Sequence, residues 1–174
     1  MSDAGVGPIV GAPVLREPRN RVSPQAIPFW TVSALLGDAV LVIAAVVAYV
    51  VGPDVPGWTL LLVLLVAVAA VAHVVLMPRI RYRVHRWEVT DTAVHTRAGW
   101  IGRETRIAPI SRVQTVDSRQ GALMRMFGLA SITVTTASAA GPITVDCLDV
   151  DTARGVVARL TAITAVGTEQ DDAT

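Results

Sequence analysis

"WTLLLVLLVAVAAVAHVVLMPRIRYRVHRWEV", residues 58–89, divides the chain into two parts with different surroundings. Its first twenty residues contain no Asp, Glu, Lys or Arg, and four arginines follow within the next nine. At a rise of about 1.5 Å per residue the apolar part spans roughly 30 Å, which matches the hydrocarbon thickness of a bilayer. The stretch therefore predicts a membrane-spanning helix that ends where the arginines begin.

Another apolar run lies N-terminal to this stretch, "FWTVSALLGDAVLVIAAVVAYVV" at residues 29–51, and holds one charged residue, Asp38. Neither run has a polar face, and the rest of the chain is too short to cover both in a soluble core. A cleaved signal peptide is excluded, because its apolar region would be only about 7–15 residues long. We expect a transmembrane helical hairpin over residues 29–78, with spans 29–51 and 58–77.

The arginines also predict the orientation of the hairpin, since Lys and Arg near span ends accumulate on the cytoplasmic side. Arginines flank both outer ends, while the connecting turn at 52–57 contains Asp54 and no base. We expect both termini in the cytoplasm and the turn outside. Trp30 and Tyr82 are expected at the interfaces, where aromatic rings anchor well.

Beyond the spans the hydrophobic period changes to two, which is typical of half-buried strands. In the first predicted strand, Ile80, Tyr82 and Val84 face the interior and Arg79, Arg81 and Arg83 face outward. The predicted strands are 79–89, 93–99, 103–110, 112–120, 130–137 and 142–148, with one helical turn at 121–128.

A closing helix is predicted from "DVDTARGVVARLTAIT", residues 149–164, whose apolar residues repeat at helical spacing. We expect Val156, Val157 and Leu160 of this helix to pack on Leu129, Ile132 and Val134 of the sheet. The whole β domain is expected over residues 79–166. A disordered cytoplasmic segment, 1–28, precedes the spans, and an acidic tail, 167–174, ends the chain.

The stretch "IAPISRVQTVDSRQGALMRMFGLASITVTTA", residues 107–137, resembles the central signature of the bacterial pleckstrin-homology-like membrane proteins of the YdbS-like family. The matching features are Pro109, the Arg112-Val113-Gln114 triplet, Leu123, Arg125, the Phe127-Gly128-Leu129 triplet and the Thr-rich strand that follows. The resemblance implies an α+β membrane protein in the bacterial inner (plasma) membrane. Its transmembrane hairpin would be followed by a pleckstrin-homology-like antiparallel β-barrel, capped by the C-terminal helix. The family has no established catalytic residues.

Several classes of function find no support in the sequence. The three histidines lack metal-ligand spacing, the single Cys147 excludes a multi-cysteine site, and no nucleophile elbow or phosphate loop is present. We therefore expect no catalysis, metal or cofactor. The basic segment lies against the bilayer, lacks interleaved exposed aromatic residues for stacking and matches no helix-based reader, so we expect no nucleic-acid binding.

Two sets of residues are candidate sites. Arg79, Arg81, Arg83 and Arg86 are expected either to contact anionic lipid at the membrane surface or only to determine topology. Asp38 is out of place because an acid within a span is costly and by default a functional candidate. It lies roughly 13 Å beyond the cytoplasmic start of its span, and His73 could approach it. A proton relay, a protonated acid and a helix-packing contact are the alternatives.

The sequence thus predicts a non-enzymatic scaffold that binds protein partners at the cytoplasmic face of the membrane. The expected partners are membrane lipids and another membrane or cytoplasmic protein, with a second copy or a family paralogue among the candidates. The alternative is a module that senses lipid headgroups. The first turn of the domain, Thr90-Asp91-Thr92, is acidic and short, which disfavours the phosphoinositide site of other pleckstrin-homology domains.

Overall fold

The computed structural model describes residues 17–52, 56–138 and 141–171, with side chains described as far as residue 164. A two-residue strand precedes two long helices, α1 at Ala26–Val51 and α2 at Trp58–Val84. Six strands follow the helices, with a short helix between the fourth and fifth of these six, and the described chain ends in a helix. The strands are β1 Asn20–Arg21, β2 Arg86–Val89, β3 Ala93–Gly99, β4 Arg103–Pro109, β5 Val113–Arg119, β6 Leu129–Thr136 and β7 Ile143–Asp149, and the helices are α3 Ala122–Met126 and α4 Val150–Asp171.

The strands form two antiparallel sheets. One has the order β1-β2-β3-β4 and the other β5-β6-β7, and α4 packs against the second sheet. Among the described residues the ladders do not close into a ring, so the observed architecture is two sheets capped by a helix. The two helices, the antiparallel sheets and the C-terminal helix agree with the pleckstrin-homology-like fold expected from the sequence, although a closed barrel is not observed among the described strands.

The two helices pack against each other as a hairpin, and each is long and apolar enough to cross a membrane. Over most of their length large aliphatic side chains are exposed, among them Leu41, Ile43, Leu61 and Leu65. Large exposed apolar surfaces of this kind mark membrane or protein contacts. The predicted spans are therefore present as helices, while Asp54 of the predicted turn lies outside the described residues.

The strand predicted from residue 79 is wrong in its first half, because α2 continues to Val84 and residues 79–84 are helical. Pro78 lies inside α2 and contributes no backbone N–H, but each residue after it adds a hydrogen bond without a new nucleus, so the helix propagates at little cost. Ile80 is consequently exposed, while Val84 is buried. The remaining predicted strands, the helical turn and the closing helix are all present within a few residues of their expected bounds.

The two ends of the described chain are more ordered than expected. Part of the segment predicted to be disordered forms β1, which pairs with β2 through Asn20 opposite Trp87 and Arg21 opposite Arg86. At the other end α4 runs to Asp171, so the first residues of the predicted tail are helical. Residues 1–16 and 172–174 lie outside the described residues.

A single buried core joins the sheets to the helices. Leu129, Ile132 and Val134 are fully buried, Leu160 of α4 is also fully buried, and Val156 and Val157 pack against them, as predicted. The same cluster includes residues of the helical hairpin, namely Ala26, Trp30 and Ala34 of α1 and Met77 of α2. Trp30 is thus a core residue rather than an interfacial anchor.

Candidate functional site at the membrane junction

The junction, defined here as the first nine residues of α1 and the last eight of α2, belongs to the β domain rather than to the apolar hairpin. Ala26, Trp30 and Ala34 recur at four-residue spacing on one face of α1 and are almost inaccessible. Met77 and Val84 are the corresponding buried residues of α2. Because the helices continue from the core into the apolar hairpin without a break, the domain is fixed rigidly to the hairpin.

A polar cluster lies at the centre of the junction. The guanidinium of Arg81 lies 4.6 Å from the centre of the Trp30 ring, and the His85 imidazole lies 5.2 Å from the same ring. A cation over an indole face is attracted by the ring quadrupole, most strongly where water is excluded. The cluster therefore stabilises the contact between α1 and the end of α2.

The hydrogen bonds of His85 determine its tautomer. Arg81 Nε, an obligatory donor, points at His85 Nε2 over 3.4 Å, so Nε2 must accept and Nδ1 must carry the proton that is donated to the Arg81 carbonyl oxygen at 2.9 Å. Burial, followed by the charge of Arg81, lowers the pKa of His85 below its usual 6.5. The imidazole is thus held neutral against the arginine.

The amino-terminal side of the junction is tied to β7. The Ser23 amide donates to the Cys147 carbonyl oxygen at 2.9 Å, and its hydroxyl donates to an Asp149 carboxylate oxygen at 2.6 Å. Cys147 adopts a φ of 57° at an irregular point of the β6–β7 ladder, which turns its carbonyl towards Ser23. Burial raises the pKa of the Cys147 thiol to about 12, so the thiol is inert at neutral pH.

Asp38 and His73, the two intramembrane candidates, are brought together. His73 Nδ1 lies 2.8 Å from Asp38 Oδ2, which joins α1 to α2. The first turns of α1 lie in the domain core, and strong exposure of its side chains begins at Leu35. Asp38 is three residues further along, roughly 5 Å beyond that point on the helix.

A third residue, which the sequence analysis did not identify, lies beside this pair. Trp100, at the turn between β3 and β4, places its ring 5.5 Å from the His73 imidazole. Residues 100–102 fall between two predicted strands, yet two large apolar side chains between glycines are unusual for a solvent-exposed loop. Gly99 is required there: its φ is 125°, and an added Cβ would lie 1.8 Å from the Gly102 carbonyl oxygen.

The four candidate arginines do not form one surface. Arg79 and Arg83 are exposed and share one face of α2, since residues four apart are neighbours on a helix. Arg81 points to a different face, about 200° away, and covers Trp30 instead. Arg86 lies half-buried in β2. The outward alternation predicted for Arg79, Arg81 and Arg83 is wrong for Arg81 because the segment is a helix.

The far end of the domain has a different character. The Thr90-Asp91-Thr92 turn lies at the end of β3 opposite to Trp100, and Asp91 pairs with Arg159 of α4 at 2.8 Å. An open cleft of about 300 Å³ lies along β4 and the ends of β6 and β7, lined among others by Thr105, Ile107 and Ser138. Ile107 remains 42% exposed. The described residues contain no cluster of three or more His, Cys, Asp or Glu suited to a metal.

Comparison with known proteins agrees with this architecture. Residues 32–163 match the family model described as the bacterial PH domain. The transmembrane protein YdbS of Bacillus subtilis (strain 168) is 27% identical over 152 residues, which covers 85% of this chain and 96% of the relative. No solved structure matches the chain.

Proposed function

Because the chain belongs to the bacterial PH domain family, and its relative is a transmembrane protein, we propose that it is a non-enzymatic scaffold of the bacterial inner membrane. Two spans hold the PH-like domain at the cytoplasmic face, and the domain binds a protein partner there. Both termini are cytoplasmic in this proposal, and the turn at 52–57 is outside. Reporter fusions at the two termini and within the turn should read inside, inside and outside.

The shared core of α1, α2 and the sheets carries the proposal. A domain that served only as a soluble binding module would need no more than a flexible linker to its anchor. Here Ala26, Trp30 and Met77 are buried within the domain itself, so its orientation relative to the spans is determined. A defined orientation is useful for presenting one surface to a partner that is itself held at the membrane.

The cleft along β4 is the docking surface that best suits a protein partner. β4 pairs only with β3 among the described strands and is therefore an edge strand, the kind of element to which an extended segment of a partner adds. Ile107 is a large aliphatic side chain exposed beside this edge. The partner is therefore proposed to contribute an extended segment with an aliphatic side chain facing Ile107.

Site-specific photocrosslinking in native membranes tests this surface. A photoreactive residue at Thr105, inside the cleft, should give a discrete crosslinked product, and an Ile107→Glu change in the same chain should abolish it. A photoreactive residue at Ser118, exposed on β5, is the matched control. Equal products from both positions, or a product that survives Ile107→Glu, would rule out the cleft.

Sensing of lipid headgroups is the second candidate, favoured by the exposed pair Arg79 and Arg83 at the end of the span. Native mass spectrometry of the full chain would measure which lipids stay bound as salt rises. Nonspecific attraction is screened within about 8 Å at physiological ionic strength and should be lost. Retention of one headgroup at high salt, removed by Arg79→Gln and Arg83→Gln, would favour the sensor over the scaffold.

A further inference from the structure

The hairpin tip, residues 99–102 between β3 and β4, has an unusual surface. Its two large side chains are apolar: Ile101 is 82% exposed and Trp100 is 39% exposed. A turn of this kind in water would normally carry polar residues. The corresponding turn at the other end of β3 does so, with Thr90, Asp91 and Thr92.

The contact with α2 gives the depth of the hairpin tip. His73 lies four residues before Met77, the last residue of the apolar run, and therefore roughly 6 Å inside that run. The ring of Trp100 lies 5.5 Å from the His73 imidazole. The tip thus reaches the level at which the surroundings of α2 change from headgroups to acyl chains. Trp is the residue most suited to that boundary.

The residues next to the tip suit the same position. Arg103 begins β4 directly after the tip and is exposed, and no acid lies within the tip itself. A long arginine side chain can bury its stem against apolar groups while its guanidinium stays among phosphates. The tip therefore combines an apolar end with an adjacent cation, as expected for a segment that enters a bilayer.

We infer that the hairpin tip inserts into the bilayer face on which the domain lies, with Ile101 among the acyl chains and Trp100 covering the Asp38–His73 pair. The occupant of this surface is phospholipid. The inference depends on α1 and α2 spanning the membrane, and not on the protein partner. The tip then forms a third membrane contact beside the two spans and shields a costly polar pair from lipid.

Fluorescent labelling of the full chain in phosphatidylcholine–phosphatidylglycerol vesicles tests the inference. Ile101→Cys and Thr92→Cys place an environment-sensitive maleimide at the two ends of β3, about 23 Å apart for seven residues of strand. Cys147 is buried, so the unaltered chain measures background labelling. The label at 101 should show blue-shifted emission, several-fold weaker quenching by iodide than at 92, and strong quenching by brominated acyl chains.

Equal iodide quenching at 101 and 92 would overturn the inference. Protection from iodide without quenching by brominated lipid would also overturn it, because a second copy of the chain would then cover the tip. The vesicles contain no other protein, so neither result bears on the cleft along β4. A loss of crosslinking at Thr105, conversely, would leave the insertion of the tip unaffected.

Discussion

The two parts of α1 have similar residues and opposite surroundings. Up to Ala34 one face of the helix is buried by the domain, and Trp30 is only 3% exposed. From Leu35 onwards it exposes aliphatic side chains, such as Leu41 at 58%. A continuous apolar helix therefore contributes to a protein core over its first part and to a membrane span over the rest, and substitutions in the two parts should have different costs.

The largest expected effect is that of Trp30→Ala. Truncation of a fully buried aromatic residue typically costs about 3–5 kcal/mol, and here the Arg81 guanidinium also loses the ring beneath it. Pulse proteolysis of the β domain in micelles would measure the loss. The control is Leu41→Ala on the same helix, which should change the stability of the domain by less than about 0.5 kcal/mol. Equal costs would mean that α1 is not part of the core.

Leu160→Ala tests the opposite side of the same core, beneath α4. Leu160 is fully buried, so the expected cost is about 2–5 kcal/mol. Ala158 is exposed on the same helix, and Ala158→Ser is the control with little expected effect. The same proteolysis assay measures the change. If Leu160→Ala were as stable as the unaltered chain, α4 would not pack against the core of the sheets.

The pH dependence of stability sharpens the comparison at the junction. The folded-state pKa of His85 is lowered, so the unfolded chain binds the proton more readily. The contribution of His85 to the free energy of unfolding is therefore fully present above pH 6.5. It is lost as the pH falls from about 6.5 through the lower pKa of the folded state. Stability measured between pH 7.5 and 5 should fall, and His85→Gln should flatten the curve. If the free energy of unfolding of His85→Gln changed with pH as steeply as that of the unaltered chain, other groups would cause the pH dependence.

The smallest effect is expected at the end of the domain far from the junction. Asp91 and Arg159 form an ion pair whose side chains are 86% and 53% exposed. Asp91→Asn should therefore cost no more than about 1 kcal/mol, because water and salt screen exposed pairs. The double variant with Arg159→Gln measures the interaction energy between Asp91 and Arg159. An interaction energy well above about 1 kcal/mol would mean that the turn is structurally important.

The shared core also determines which form of the protein must be used in such experiments. A fragment beginning at residue 79 appears natural from the hydropathy pattern. It would lack Ala26, Trp30, Ala34 and Met77, all of which are buried in the domain. We expect such a fragment to expose the underside of the sheets, so stability and lipid binding should be measured on the full chain.

Much of the architecture could be predicted from local pattern. The apolar runs were long enough to predict both helices, and period-two alternation between turn residues located β3 to β7 to within a few residues. The same alternation misled at residues 79–84, where a short pattern competed with a helix already in progress. β1 is only two residues long, too short for any periodicity, and is recognisable only through its pairing with β2.

The sequence by itself determined the two apolar helices, the strands that follow and the burial of Leu129, Ile132 and Leu160, because these depend on hydrophobicity and its local period. Tertiary structure alone decided that Trp30 lies under Arg81, that His73 meets Asp38, and that Trp100 lies beside His73 of α2. These contacts join residues from separate elements, and the local hydrophobic period of a sequence does not indicate which elements pack together. The candidate site lies in that second group.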